Sequence, residues 1–419
     1  MEQWNIIKAY DYCYNVTDGT HDSPKQTEFG KYLITSKHIK DNRIDFESAY
    51  KISEDDYNKI ITRSKVDQWD IIISMIGAYC GFCCIESSKQ TDYAIKNVGL
   101  LKVGNELKCK WLYYYLTSPH GKQQLSKLRS GSSQPYISLG ALRNLDIPVP
   151  NENTMNDIVS ILSSLDDKIE LNRRINGNLE QQAQALFKAW FVDFEPFKGG
   201  EFVESKLGRI PKELTISKIG DIPHKIESGK RPKGGATSEG IPSIGAENIK
   251  GLGFYDYSKT KYIPKDFASI TNRGKISGYE LLIYKDGGKP GYFIPNYTIF
   301  GEGFPFEYMF INEHVFLLDL MSREYNIFAY FYMQTPYIMN QLNSIGGKAA
   351  IPGINTKDVE SLPIFTDDNK KVKEFGKIVL PMITTILKNS RENAHLTKLR
   401  NTLLPRLMSG ELKINDLNR

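Results

Sequence analysis

Cysteine is scarce in this chain of 419 residues. The five thiols (Cys13, Cys80, Cys83, Cys84, Cys109) are odd in number and lie mostly in apolar, strand-like sequence. That excludes a disulfide framework and points to unpaired thiols in a reducing cytoplasm. Long apolar runs are missing as well. The most apolar window, Ile71 to Ile85, contains Gly77 and Gly81 and is too short to cross a bilayer. The opening segment, MEQWNIIKAYDYC, has neither the basic stretch nor the apolar core of a signal peptide, so a cytoplasmic protein is expected. Charge of one sign is nearly balanced: Lys+Arg 54 minus Asp+Glu 49 leaves +5. A molecule coated in positive charge is therefore excluded, although local basic faces are not.

Ligand-holding motifs are also lacking. The 6 histidines show no metal-ligand spacing, and Cys80-x-x-Cys83 stands alone in a run that reads as core. Gly287-Gly-Lys and Gly346-Gly-Lys lack the earlier glycine and the Ser/Thr of a phosphate loop. Glu204-x-Lys206 has no paired acid before it. No metal and no cofactor is expected on this chain.

What the sequence does contain is a repeat. Asp11 falls on Asp221, Gly19 on Gly229, Ile39-Lys40 on Ile249-Lys250, and Asp70 to Ile73 on Glu280 to Ile283, all at a shift of 210. Further on, Ile137 falls on Ile354, Leu145 on Leu362, Ile169 on Ile386, Asn172 on Asn389, Arg174 on Arg391 and Leu186 on Leu403, at 217. The difference is a net insertion in a loop of the second copy. Each copy begins with short strands and Gly- and Tyr-rich loops, and buried strands are predicted at Asp70–Met75 and Glu280–Tyr284. Each then has a short helix, a polar glycine loop, a small helix capped by Ser138 or Asn355, and a Pro-bounded closing strand.

After the closing strand the pattern turns helical. Ile158, Leu162, Leu165, Ile169, Asn172, Asn176, Leu179, Ala183, Leu186 and Trp190 are spaced alternately by four and three, the seam of a coiled coil. The second copy repeats it with Phe375, Val379, Met382, Ile386, Asn389, Asn393, Leu396, Arg400, Leu403 and Leu407. Pro381 predicts a late start or a kink in that helix. Two asparagines occupy equal places in both seams, and a buried Asn fixes register because it needs a polar partner. Antiparallel pairing predicts Asn172 beside Asn393 and Asn176 beside Asn389. From Ile158 to Trp190 such a helix spans roughly 50 Å, more than one ~34 Å turn of DNA.

Several segments together carry a family resemblance. They are SLDDKIELNRRINGNLEQQAQALFKAWFVDFEP (Ser164 to Pro196), LRNTLLPRLMSGEL (Leu399 to Leu412), GSSQPYIS (Gly131 to Ser138), LGRIPKEL (Leu207 to Leu214) and ESGKRP (Glu227 to Pro232). With them the whole chain resembles the specificity subunit of type I restriction–modification systems. The resemblance implies an α+β fold in which two homologous mixed α/β target-recognition domains are separated by two long helices forming an antiparallel coiled coil, an internal pseudo-twofold repeat. The expected parts are 1–150, 151–196, 197–366 and 367–419. It further implies partners: double-stranded DNA, two methyltransferase subunits docked on the helices, and restriction subunits in the full complex. S-adenosylmethionine and ATP would be bound by those partners, and this chain would be no enzyme, consistent with its lack of an Asn-Pro-Pro-Tyr methyl-transfer signature. One departure is Tyr79-Cys80-Gly81-Phe82, where a Gly-Thr-Val-Gly type of turn is common in the family.

DNA contacts are expected from loops carrying cations and amides. In the first copy these are Lys37, His38, Lys40, Asn42, Arg43, Lys127, Arg129, Ser132, Ser133 and Gln134. In the second they are Lys230, Arg231, Lys233, Asn248, Lys250 and Lys348. Tyr14, His21, Phe254, Tyr255 and Tyr257 are aromatic candidates for stacking or simple packing. Trp190, Phe191 and Phe194 carry more aromatic surface than a two-helix coil buries, so they mark either a subunit interface or packing on the second globule. Three other readings stay open: the recognition subunit of a fused type II system, a coiled-coil assembly protein without base reading, and a nuclease.

Overall fold

The computed structural model describes residues 4–40, 42–131, 134–289, 291–347, 352–366 and 368–412. The chain forms two compact units, one of Met1–Asp167 with Leu396–Arg419, the other of Lys168–His395.

The first unit is built on a four-stranded antiparallel sheet in the order Asn15–Asp18, Val98–Lys102, Asp70–Ser74, Cys83–Ile85. The predicted strand at residue 70 is there, and all five of its residues are buried. Alternation explains how one apolar run serves two faces. Ile71, Ile73 and Leu101 pack with Trp111 and Leu112, while Ile72 and Leu100 pack with Ile34 and Ile95. Each such side chain contributes about 1.5–3 kcal/mol by burial. On the second face lies a three-stranded sheet in which Lys31–Ile34 runs antiparallel to Tyr50–Ile52 and parallel to Tyr93–Ile95. A third pairing joins Asn5–Lys8 to the closing strand Asp146–Val149.

The helix Glu106–Thr117 starts where Asn105 accepts the Lys108 N–H. It is buried on almost every side, and its polar tips find carbonyls: Trp111 Nε1 donates to Pro148 O and the Tyr115 hydroxyl to Asp146 O. Ser138 caps the small helix Leu139–Arg143 by accepting the Ala141 N–H.

The second unit repeats this plan element by element. Its four-stranded sheet runs Lys225–Ser228, Val315–Asp319, Leu281–Tyr284, Asn296–Ile299, and its three-stranded sheet has Ile241–Ile244 between Lys261–Ile263 and Phe310–Ile311, again with one parallel pair. Asn355 caps Thr356–Glu360 by accepting the Asp358 N–H, as Ser138 does in the first copy. Ile137 N donates to Met75 O, and its counterpart Ile354 N donates to Lys285 O. The second copy adds a small hairpin, Gly288–Lys289 with Tyr292–Phe293, in the connection that follows Leu281–Tyr284.

Two long helices complete the chain, Glu152–Phe191 and Lys370–Met408. The second starts at Lys370, well before Pro381, so the late start expected from that proline does not occur. Pro381 is exposed within the helix, where its missing N–H leaves one ladder bond unmade. None of the seam positions is exposed in either helix. In the second unit Asn172 Nδ2 donates to Asn393 Oδ1 at 3.0 Å and to Glu392 Oε2 at 2.7 Å. Asn389 Nδ2 donates to Asn176 Oδ1 at 2.9 Å. The order of these partners is antiparallel. In the first unit Met155, Ile158, Val159 and Leu162 share one core with Trp111, Leu404, Leu407 and Met408, and Arg400 Nη1 meets Asp166 Oδ1 at 2.7 Å.

Candidate nucleic-acid interface

In the first unit the centre of the candidate surface is the turn from Gly77 to Phe82, between strands Asp70–Ser74 and Cys83–Ile85. Gly77 and Gly81 both hold positive φ (77° and 93°), which permits so tight a turn at the end of an apolar strand. The turn is fixed by backbone bonds: Cys80 N to Gly77 O, Phe82 N to Tyr79 O, and Ser74 N to Phe82 O. It turns two aromatic rings outward, Tyr79 and Phe82, in edge-to-face contact at 5.9 Å.

Two predicted segments meet this turn from either side. On one side is the hairpin of Ile39–Lys40 with Arg43–Ile44, and Lys40 Nζ stands 4.8 Å from the Tyr79 ring centroid. Asn42, exposed and at positive φ, turns its Oδ1 inward to accept the Ile85 N–H, so it anchors the hairpin. On the other side Arg129 Nη2 donates to Cys80 O at 2.6 Å, Gly77 N donates to Pro135 O, and Gln134 is exposed beside Gly77. Tyr136, also exposed, bridges Ile76 and Ser130. Lys37, Arg43 and Lys127 lie exposed on the same flanking segments. The result is three aromatic rings among cations, a chemistry suited to nucleic acid: ammonium and guanidinium groups for phosphates, rings for bases. Ser132 and Ser133 lie outside the described residues.

Burial removes two of the candidates. His38 is fully buried, and its Nδ1 accepts the Thr35 N–H at 2.9 Å. Burial first, and then the Lys37 charge, hold its pKa below the usual histidine value. Asn248, its counterpart in the repeat, is buried too and accepts the Asp256 N–H through Oδ1 at 2.7 Å. Both close a loop in the same place of each copy and are shut off from solvent.

In the second unit Lys230, Arg231 and Lys233 are exposed on one loop. A chain of polar contacts ties that loop to the hairpin connection: Arg231 with Glu313, Glu313 with His314, and His314 Nδ1 with Asp286 Oδ2 at 2.8 Å. The glycine loop lies directly beneath, since a Cβ on Gly347 would come within 2.9 Å of Gly291 O. The hairpin presents an exposed Tyr292. Lys250 is not drawn into this group. It lies over Phe254, and its loop turns onto the second long helix, where Gly253 packs against Ser390 and Ile386. Lys348 lies outside the described residues.

The aromatic end of the first long helix is not an open patch. Phe191 is buried, in contact with Phe328, Phe365 and Phe375, and Trp190 and Phe194 are half-buried against the same core. The second copy offers an apolar surface there that the helix sequence alone could not reveal, so packing wins over a subunit interface for Phe191. Sequence reading did not single out Phe82 and Tyr292, two exposed rings on these connections. Phe82 sits in a run that reads as core, and the signal that it leaves the core is the pair of glycines at 77 and 81.

A family model described as the type I restriction modification DNA specificity domain matches residues 2–181. The type I restriction enzyme MjaIX specificity subunit of Methanocaldococcus jannaschii is 27% identical over 318 residues, covering 74% of this chain and 70% of that protein. The chain is similar to type I specificity subunits. The HindI specificity subunit of Haemophilus influenzae is 25% identical over 351 residues, with 69% and 74% covered. The putative MjaX specificity subunit is 21% identical over 432 residues and takes in 99% of this chain and 94% of its own. A crystal structure of the type I system S subunit from M. genitalium aligns over 96% of both chains with a TM-score of 0.55 at 17% identity, which shows a shared α+β fold. Among the described residues no helix is long and apolar enough to cross a membrane.

Proposed function

We propose that this chain gives a type I restriction–modification complex its DNA sequence specificity. The observation that carries the reading is the duplication itself: two copies of one fold, each with exposed cations on its loops and an exposed aromatic ring on the connection that leaves its central buried strand. Each copy reads one half of a bipartite, asymmetric site in double-stranded DNA. Lys37, Lys40, Arg43, Lys127, Arg129 and Gln134 serve the first half, and Lys230, Arg231 and Lys233 the second. The long helices set the gap between the halves and dock two methyltransferase subunits, and restriction subunits join that assembly.

The chain itself carries out no catalysis and takes no cofactor. S-adenosylmethionine and ATP are bound by the partner subunits, and the complex works in the cytoplasm. Among the described residues no group of three or more His, Cys, Asp or Glu is placed to hold a metal ion.

Methylome sequencing of a host with and without the gene tests the reading. A bipartite methylated motif is expected to appear with the chain and vanish without it, and binding should fail when the gap changes by one base pair. A methylome that does not depend on the chain would refute it.

A further inference from the structure

Phe82 and Tyr292 lie on corresponding connections of the two copies. The strand after each connection pairs with the central strand in the same register, Ile85 with Ile71 and Ile299 with Leu281, so the second connection is the longer one and its added hairpin carries Tyr292. Both lie on the connection that leaves the central buried strand, Asp70–Ser74 in one copy and Leu281–Tyr284 in the other. Both are large aromatic side chains turned to solvent, 50% and 54% exposed. Burying each of them in the fold would have been favourable, and a strand so apolar has a core at hand on both sides. Instead, rigid devices hold them out.

In the first copy two positive-φ glycines make the turn, Arg129 pins its Cys80 carbonyl, and the Tyr79 ring supports Phe82 from the side. Tyr79 is itself held by Lys40. In the second copy Tyr292 lies in a hairpin strand paired with Gly288–Lys289, and the next residue, Phe293, is buried against Gly346. Alternation along that strand sends Tyr292 outward because Phe293 points inward. A ring presented rigidly loses little freedom on binding, so such a site is preorganised.

The surroundings select the partner. Lys40 and Arg129 flank Phe82, and the Arg231 loop is tied to the connection that carries Tyr292. A phosphate-bearing surface satisfies those cations, and what stands between two phosphate strands is a row of base edges. The Phe82 ring has no donor or acceptor. It can only recognise apolar features of bases, thymine C5-methyl groups or the face of an unstacked base.

We infer that Phe82 and Tyr292 are specificity-determining residues, each making the apolar base contact in one half of the DNA site. The inference rests on the DNA-recognition reading above, and its test separates the two. The assembled complex with its methyltransferase subunits is used, on duplexes carrying the motif found by methylome sequencing. Affinity is measured for the motif, for every single base-pair substitution in it, and for versions with thymine replaced by deoxyuridine, over a range of salt concentrations.

Phe82→Ala should cost roughly tenfold on the motif and abolish discrimination at one base pair of one half. Discrimination in the other half should persist, and the salt dependence should not change. Tyr292→Ala should do the reverse, and Phe82→Leu should retain part of the discrimination. Sensitivity of the wild type, but not of Phe82→Ala, to deoxyuridine identifies a methyl contact, and insensitivity with loss on base-pair exchange identifies a base-face contact. Retained discrimination at every position in both alanine variants would overturn the inference and leave DNA recognition standing. Uniform weakening on all sequences with a reduced salt slope would also overturn it, by assigning the rings to phosphate support. Absence of any selective binding by the wild-type complex would overturn both readings.

Discussion

The asparagine ladder between the long helices can be taken apart one rung at a time. Asn172 is 1% exposed, and its Oδ1 is buried without a partner. Its Nδ2 is satisfied by Asn393 Oδ1 and Glu392 Oε2. Asn393→Leu removes one of those acceptors and sets an apolar side chain against a buried amide. The cost is about 1–3 kcal/mol, and the surviving bond to Glu392 puts it near the low end. Asn172→Leu removes both bonds and also the orphaned Oδ1, and it leaves Asn393, half-buried, to find water. That single change should cost about 0.5–1.5 kcal/mol.

The double variant faces leucine with leucine, a pairing that coiled-coil seams favour. It should be close to neutral or more stable than the parent. A double-mutant cycle by urea denaturation, followed by far-ultraviolet circular dichroism, should therefore give a coupling energy of at least ~1 kcal/mol. If the two single losses simply add to within about 0.5 kcal/mol in the double variant, the amides are not a coupled register device and the reasoning fails.

Two further outcomes follow from packing and charge. Phe187 is 5% exposed and touches Phe191, Phe328, Phe331 and Phe375, so Phe187→Ala should open a cavity and cost about 3–5 kcal/mol in thermal unfolding; a loss under 1 kcal/mol would show that the aromatic cluster is not the core of that unit. The hydrogen bond from Asn172, and then Lys168, hold the Glu392 carboxyl below its usual pKa. A depressed carboxylate stabilises the fold above its unfolded pKa and loses that contribution as pH falls through the folded value. Stability measured against pH should thus fall in acid less steeply for Glu392→Gln than for the parent, and identical acid limbs would contradict the assignment.

How much could be read in advance differs from element to element. The strand at Asp70, the caps at Ser138 and Asn355, and the two long helices follow from patterns a few residues long, and all stand where those patterns put them. Of the late start or kink expected from Pro381, the late start does not occur, because propensity loses to a helix packed along its length on a core. The site was legible only in outline. His38 and Asn248 look like DNA-facing polar residues in a loop, but both are buried, and His38 Nδ1 and Asn248 Oδ1 each accept a backbone N–H of that loop. Phe82 looks like core and is exposed, while Phe191 looks exposed and is core.

The sequence by itself determined the duplication, the heptad seams and the register of the helix pair. These properties are periodic or pairwise: a shift of 210 or 217, a spacing of three and four, an Asn that must meet an Asn. Only the tertiary structure decided which distant segments share a surface. The turn Gly77–Phe82 is flanked by Lys40 on one side and Arg129 on the other because the hairpin of Ile39–Lys40 with Arg43–Ile44 and the loop after helix Pro119–Lys127 both fold against it. Exposure is a property of everything that packs around a side chain, so no local pattern could say that Phe82 would stand in solvent and Phe191 would not.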